Sequence, residues 1–163
     1  MKHPELIEKK IFTLPGLIST IKQWRFLGKS IAFTNGCFDI LHEGHLYSLG
    51  EAAKEADCLV VGVNSDHSVK KLKGESRPLN NESSRAKVLA SLLIIDAVII
   101  FNEDTPLELI KAILPDVLVK GGDYKPEEIA GAKEVIANGG RVVINPILQG
   151  FSTTSIIAKM KGG

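Results

Sequence analysis

Apolar residues along this chain fall into short dense runs, separated by longer segments in which apolar and polar positions alternate with a helical period. Five runs, "SIAFTNGCF" (30–38), "CLVVGVNS" (58–65), "AVIIF" (97–101), "DVLVKGG" (116–122) and "RVVINPIL" (141–148), are rich in Val, Ile and Leu. Such runs mark strands covered on both faces, as in a parallel sheet. Between them, "HLYSLGEAAKEA" (45–56), "NESSRAKVLASLL" (81–93), "TPLELIKAIL" (105–114) and "KPEEIAGAKEVIANG" (125–139) read as helices. Thr105 before Pro106 has the form of an N-cap followed by a first-turn proline. Asn138-Gly139-Gly140 has the form of a helix stop. The alternation predicts an α/β fold: a Rossmann-like, doubly wound, five-stranded parallel sheet with helices on both faces.

Residues 1–29 read as a lead-in whose helix, "LPGLISTIKQWRFLG", packs outside the sheet, and residues 30–163 read as a single domain. The stretch "DHSVKKLKGESRPLNNES" (66–83) breaks the alternation. It is polar, basic and rich in turn formers, which predicts a mobile loop over the site. With 163 residues, 44% of them hydrophobic, the chain can fold without disulfides or metal. A net charge of +1 counts against a general nucleic-acid binder. The two cysteines, Cys37 and Cys58, lie in or beside strand-like runs, as buried thiols do. No run reaches the roughly 18–20 apolar residues that span a bilayer, and "MKHPELIEKK" lacks the apolar core of a secretory signal. The expectation is a cytoplasmic protein with no membrane partner.

Candidate chemistry concentrates in "FTNGCFDILHEGH" (33–45). In a doubly wound sheet, ligands bind outside the carboxyl ends of the strands near the switch point, and this run leaves the first core strand there. Asn35 and Gly36 permit a turn whose N–H groups face a phosphate. His42 and His45 share one face if a helix begins there, at an N-terminus that favours anions. Gly44 lets a base or ribose approach the backbone. The alternatives are purely structural histidines, or a zinc site with Cys37 that has no obvious fourth ligand at suitable spacing.

Lys70, Lys71, Lys73 and Arg77 form a basic cluster, of which Lys70 and Lys71 read as a solvated face. Asn64 and Asp66 follow the second strand and suit a substrate phosphate or sugar, although Asp66 equally suits an N-cap. In "VKGGDY" (119–124), Gly121 and Gly122 allow close approach to a nucleotide, and Asp123 suits ribose hydroxyls or metal-bound water. Ser152, Thr153 and Thr154 head the last helix, three hydroxyls where a plain N-cap needs one, and make a second anion candidate.

His42-Glu43-Gly44-His45 resembles the HxGH signature of the nucleotidylyltransferase superfamily. In order, "NGCFDILHEGH", "VNSD", "LKGESRP", "LPDVLVKGGDYKPEEIAGAKEV" and "STTSII" resemble the bacterial heptose 1-phosphate adenylyltransferases over roughly residues 30–160. The resemblance implies that His42 and His45 bind the triphosphate and stabilise the transition state at its α-phosphorus. It implies a catalytic Lys73, brought by its loop onto the triphosphate, and an Arg85 that reaches phosphate from its helix; the plain alternative for Arg85 is a surface arginine. The nucleotide set is Thr34, Asn35, Gly36, Cys37, Phe38, Gly44, Arg85, Lys120, Gly121, Gly122, Asp123, Ser152, Thr153 and Thr154. The sugar-phosphate set is Asp39, Asn64 and Asp66. No metal ligand is assigned.

The implied reaction transfers AMP from ATP, entering with Mg²⁺, to D-glycero-β-D-manno-heptose 1-phosphate, giving ADP-heptose and pyrophosphate for the lipopolysaccharide core. In many bacteria this domain is fused behind a sugar kinase, so a free-standing version depends on a separate heptose kinase. By analogy, apolar edges suit a homo-oligomer. A cytidylyltransferase acting on glycerol 3-phosphate shares the HxGH and the Ser-Thr block, but "GGDYKPEEIAGAKEV" resembles the heptose enzymes. A non-catalytic nucleotide-binding module of the same fold is the alternative from another class.

Overall fold

In the computed structural model, residues 3–122, 124–146, 153 and 156–158 are described. The strands are β1 (Ile11–Phe12), β2 (Ile31–Gly36), β3 (Cys58–Asn64), β4 (Ala97–Phe101), β5 (Val117–Gly121) and β6 (Arg141–Asn145). The helices are α1 (Leu6–Lys9), α2 (Leu14–Phe26), α3 (Glu43–Ala53), α4 (Asp66–Lys73), α5 (Glu82–Ala90), α6 (Leu107–Ile113) and α7 (Ala132–Ala137). All strand pairs are parallel, in the order β1-β4-β3-β2-β5-β6.

The period-2 alternation of strand side chains divides the core into two layers. Ile31 and Phe33 of β2, with Val60 of β3, join Leu17 and Ile21 of α2, Ile110 of α6 and Val135 of α7. Ala32, Leu59, Val61 and Val63 point the other way, onto Leu49 of α3 and Leu89 of α5. β3 is buried at every position, which accounts for its unbroken apolar run.

The structure departs from the sequence expectations at four places. The sheet has six strands, because Ile11 and Phe12 pair with Val98 and Ile99; a two-residue strand leaves no periodic signal. The lead-in therefore contributes to the sheet as well as supplying α2. Residues 66–73 form a helix, α4, whose N-cap is Ser65: its hydroxyl accepts from the Ser68 amide at 3.1 Å. Asp66 is thus the first helical residue. The 125–139 segment is not one helix but a 3-10 turn (Pro126–Glu128) followed by α7. Gly131 separates them at φ +84°, where a Cβ would meet Ile110 at 2.7 Å. At α6 the N-cap position is Pro106, not Thr105, and no side chain caps the helix.

Three aspartates tie the amino ends of the strands together. Asp116, just before β5, accepts from the Ile31 amide at 2.8 Å, and Asp96, just before β4, accepts from the Leu59 amide at 2.8 Å. Asp57, just before β3, accepts from both the amide and the hydroxyl of Ser30. Each carboxylate satisfies a donor that the ladder has not yet begun to pair. Asp96→Ala and Asp116→Ala should each lower stability by about 1–2 kcal/mol, seen in urea as a lower midpoint at unchanged m-value.

Candidate active site

The chain winds from β2 out to β3 and β4, then crosses back to place β5 on the other side of β2. The carboxyl ends of β2 and β5 therefore flank the switch point, where a doubly wound sheet offers a crevice. Lys120 of β5 reaches across it to donate to Asn35 Oδ1 of β2 at 3.3 Å, and its ammonium lies 5.8 Å from the Tyr124 ring centroid.

Beyond β2 the chain turns sharply into α3. Phe38 adopts φ +49°, an uncommon conformation for a bulky residue. Its ring lies over Gly36, where an added Cβ would sit 3.0 Å from it. That turn delivers His42 to the N-cap of α3 and His45 to its first turn. The two imidazoles stack with centroids 3.9 Å apart and planes at 29°, and Phe38 packs on His45 at 5.5 Å. Nδ1 of His45 is buried and has no hydrogen-bond partner among the described residues.

Burial, then the neighbouring His42 and Lys73 charges, push the His45 pKa down to about 4; burial also lowers that of His42. His45 is therefore neutral at physiological pH. A neutral imidazole at a helix N-terminus hydrogen-bonds a phosphate oxygen readily, and the arriving negative charge favours its protonation. Lys73, in the exposed last turn of α4, lies within electrostatic reach of both His45 and Cys37.

Two clefts open at this edge. One, of about 250 Å³, is lined by Thr34–Phe38, His45, Ser48, Lys120, Gly121 and Tyr124 among others. The other, of about 350 Å³, shares Asn35, Gly36, Cys37, Lys120 and Tyr124 and adds Asn64. From the sequence-derived candidates, these two clefts gather Thr34–Phe38, His45, Asn64, Lys120 and Gly121, while His42 and Lys73 stand outside their linings. Gly44 lies half-buried in the first turn of α3. Gly122, at φ +120°, donates its amide to the Asn145 carbonyl. Asn64 donates to the Ser68 hydroxyl at 3.0 Å. Thr153 donates to the Ile40 carbonyl at 3.4 Å, against the β2–α3 turn. Asp123, Ser152 and Thr154 lie outside the described residues.

Three candidates are held in ion pairs within the protein. Arg85 is buried and donates to the Cys37 carbonyl at 2.5 Å, the Asn80 carbonyl at 2.9 Å and Asp66 Oδ1 at 2.8 Å. Asp66 thereby serves as its counter-ion. Asp39 is buried and accepts from Arg77 Nε at 2.7 Å and from the amides of Leu79 and Asn80. Burial pushes its pKa up, but the two amides and the guanidinium outweigh that and hold it below the usual carboxylate range.

Sequence reasoning missed Ser48 and Tyr124. Ser48 stands three residues after His45 on the same helix, a spacing that puts both on one face. Tyr124 directly follows the Gly-Gly-Asp run, a position that could have marked it.

A parallel α/β sheet with an HxGH helix start at its switch point defines the class: a nucleotidyltransferase. Residues 33–159 match the family model described as cytidylyltransferase-like, and the chain belongs to that family. It is 54% identical over 153 residues to the bifunctional protein HldE of Hyphomonas neptunium, covering 94% of this chain and 32% of that one. It is 56% identical over 147 residues to the bifunctional protein HldE of Vibrio cholerae, covering 90% of this chain and 31% of that one. The chain thus spans about a third of the length of these curated relatives. Among solved structures, the lipopolysaccharide core biosynthesis protein from Thermoplasma volcanium superposes with a TM-score of 0.61 at 29% identity, covering 74% of this chain and 98% of that one. A Francisella tularensis pantoate-beta-alanine ligase, at 15% identity, shares the fold with a TM-score of 0.60 over 93% of this chain and 76% of that one. Among the described residues, no helix is long and apolar enough to cross a membrane.

Two outcomes test the site. The His45 resonance should titrate near pH 4 in the free protein and move upward when a nucleoside triphosphate binds, followed by NMR. Because the folded pKa is depressed, the stability tied to neutral His45 is complete above the unfolded pKa of about 6.5. It is lost as pH falls toward the folded value of about 4. Asp39→Ala, which leaves the half-buried Arg77 unpaired, should cost about 3–5 kcal/mol in urea unfolding.

Proposed function

We propose that the chain is an adenylyltransferase that transfers AMP from ATP to D-glycero-β-D-manno-heptose 1-phosphate, giving ADP-heptose and pyrophosphate for lipopolysaccharide core synthesis. The observation that carries this reading is the stacked His42–His45 pair at the start of α3, beside the switch-point cleft. Likeness to the bifunctional HldE proteins and to a lipopolysaccharide core biosynthesis protein supports the choice of acceptor.

A phosphate oxygen of the sugar phosphate attacks the α-phosphorus in line. The bond from that phosphorus to the α–β bridging oxygen breaks, and pyrophosphate leaves. The nucleophile is already an anion, so no strong base is required, and catalysis rests on positioning and on charge stabilisation. His42 and His45 hydrogen-bond the transferring phosphoryl group. Lys73, carried by α4, stabilises the departing pyrophosphate, and the Ser152–Thr154 run holds its outer oxygens. Among the described residues, no group of three or more His, Cys, Asp or Glu is placed to hold a metal ion. Mg²⁺ is assigned to the triphosphate it enters with, neutralising phosphate charge. A kinase that phosphorylates heptose at C1 supplies the acceptor, and the reaction is placed in the cytoplasm, where ATP is available.

The test is pyrophosphate release with β-heptose 1-phosphate and each of ATP, CTP, GTP and UTP. ATP-selective release is expected, with kcat falling about 10²–10³-fold in His42→Ala and His45→Ala. Selectivity for CTP would move the assignment to cytidylyl transfer, the chemistry after which the family model is described.

A further inference from the structure

The two clefts share Asn35, Gly36, Cys37, Lys120 and Tyr124 as a common crest, and their linings reach the core layers on opposite faces of the sheet. The 250 Å³ cleft includes His45 and Leu49 of α3, and Leu49 belongs to the core layer beneath α3 and α5. The 350 Å³ cleft includes Leu118 and Ile129, which belong to the layer beneath α2, α6 and α7. We propose that the 350 Å³ cleft takes the acceptor, as a phosphate ester with an uncharged polyhydroxylated body, and that Lys120 holds the acceptor's phosphate against the α-phosphorus. The inference rests on the nucleotidyl-transfer reading above and assigns its second substrate a place.

In-line displacement needs the attacking oxygen and the leaving group on opposite sides of one phosphorus. With the leaving pyrophosphate on the histidine side of the crest, an acceptor in the other cleft meets this requirement. Lys120 stands on the crest itself and lines both clefts. Among the described residues it forms no ion pair, and its contacts are the Asn35 amide oxygen and the Tyr124 ring. Burial lowers its pKa, and a phosphate brought against it would raise it again.

Charge along the larger cleft sets the acceptor's orientation. Asp104 and Glu128 line this cleft and not the histidine cleft. Carboxylates there accept hydrogen bonds from sugar hydroxyls and repel a second anion. The phosphate therefore points to Lys120 and the hydroxyl-bearing carbons to the carboxylates. Asp104 also pairs with Lys71 at 3.1 Å, which holds the end of α4 beside the cleft and brings Leu72 into its lining.

Thr105 is exposed and lines this cleft but not the histidine cleft. Thr105→Trp should raise the acceptor KM by about tenfold or more while the ATP Kd, from calorimetric titration, stays within about twofold. Glu128→Gln, at an exposed position, should shift the same two quantities in the same directions. Lys120→Met should raise acceptor KM and lower kcat together. Weakened ATP binding in Thr105→Trp or Glu128→Gln with unchanged acceptor KM would assign the cleft to the nucleotide and overturn the inference. Direct titration of β-heptose 1-phosphate separates the two levels of failure. Saturable binding to the wild type that is lost in Thr105→Trp supports the inference, and binding that survives the substitution overturns it alone. No binding to the wild type overturns the proposed acceptor and the inference together.

Discussion

The loops around the site are gathered by one buried cation. The Arg85 guanidinium, anchored on α5, binds the carbonyl of Cys37 where β2 ends, the carbonyl of Asn80 ahead of α5, and the carboxylate of Asp66 where α4 begins. The end of β2 and the first residue of α4, with the loop just before α5, are thus fixed to one helix. A planar guanidinium, charged at every accessible pH, suits that task because its donors diverge in a fixed fork. Asp39 adds a second anchor from the opposite charge, clamping Arg77 and the amides of Leu79 and Asn80 to the β2–α3 turn. The strained Phe38 and the two histidines stand between these anchors, and that arrangement holds a costly backbone conformation in place.

A neutral His45 beside lysines gives the site its electrostatic character. An imidazole kept uncharged by burial and by neighbouring positive charge adds little to the repulsion among the cations that must share the site. The proposed donor then meets hydrogen-bond groups already oriented, with Lys73 on α4 and Lys120 on the crest supplying formal charge. Preorganisation of this kind places the cost of gathering like charges in folding rather than in the reaction.

Much of the fold was legible because buried parallel strands write themselves as continuous apolar runs: "CLVVGVNS" became β3 and "AVIIF" became β4. β1 was not legible, since two residues cannot display a period. The break before α7 was missed because Gly131 reads as an ordinary helix glycine until Ile110 is seen against it. The 66–83 stretch looked like loop throughout because α4 is short and polar and gains its order from Ser65 and from contact with β3. The histidine pair was readable from spacing alone. Arg85 and Asp39 were not readable in their observed settings, since sequence marks a charge but not whether protein or ligand consumes it. Ser48 and Tyr124 carried weaker signals, visible only once the face of α3 and the end of β5 were known.

The three aspartates that precede β3, β4 and β5 stand at the amino ends of the strands, while the strained turn, the histidines and both clefts stand at the carboxyl ends. The sheet is therefore fastened at one rim and worked at the other. Loops at the working rim can exchange residues, lengthen or take up unfavourable backbone angles without loosening the rim that sets the register. Such a division lets the chemistry of the clefts change while the scaffold beneath them keeps its alignment.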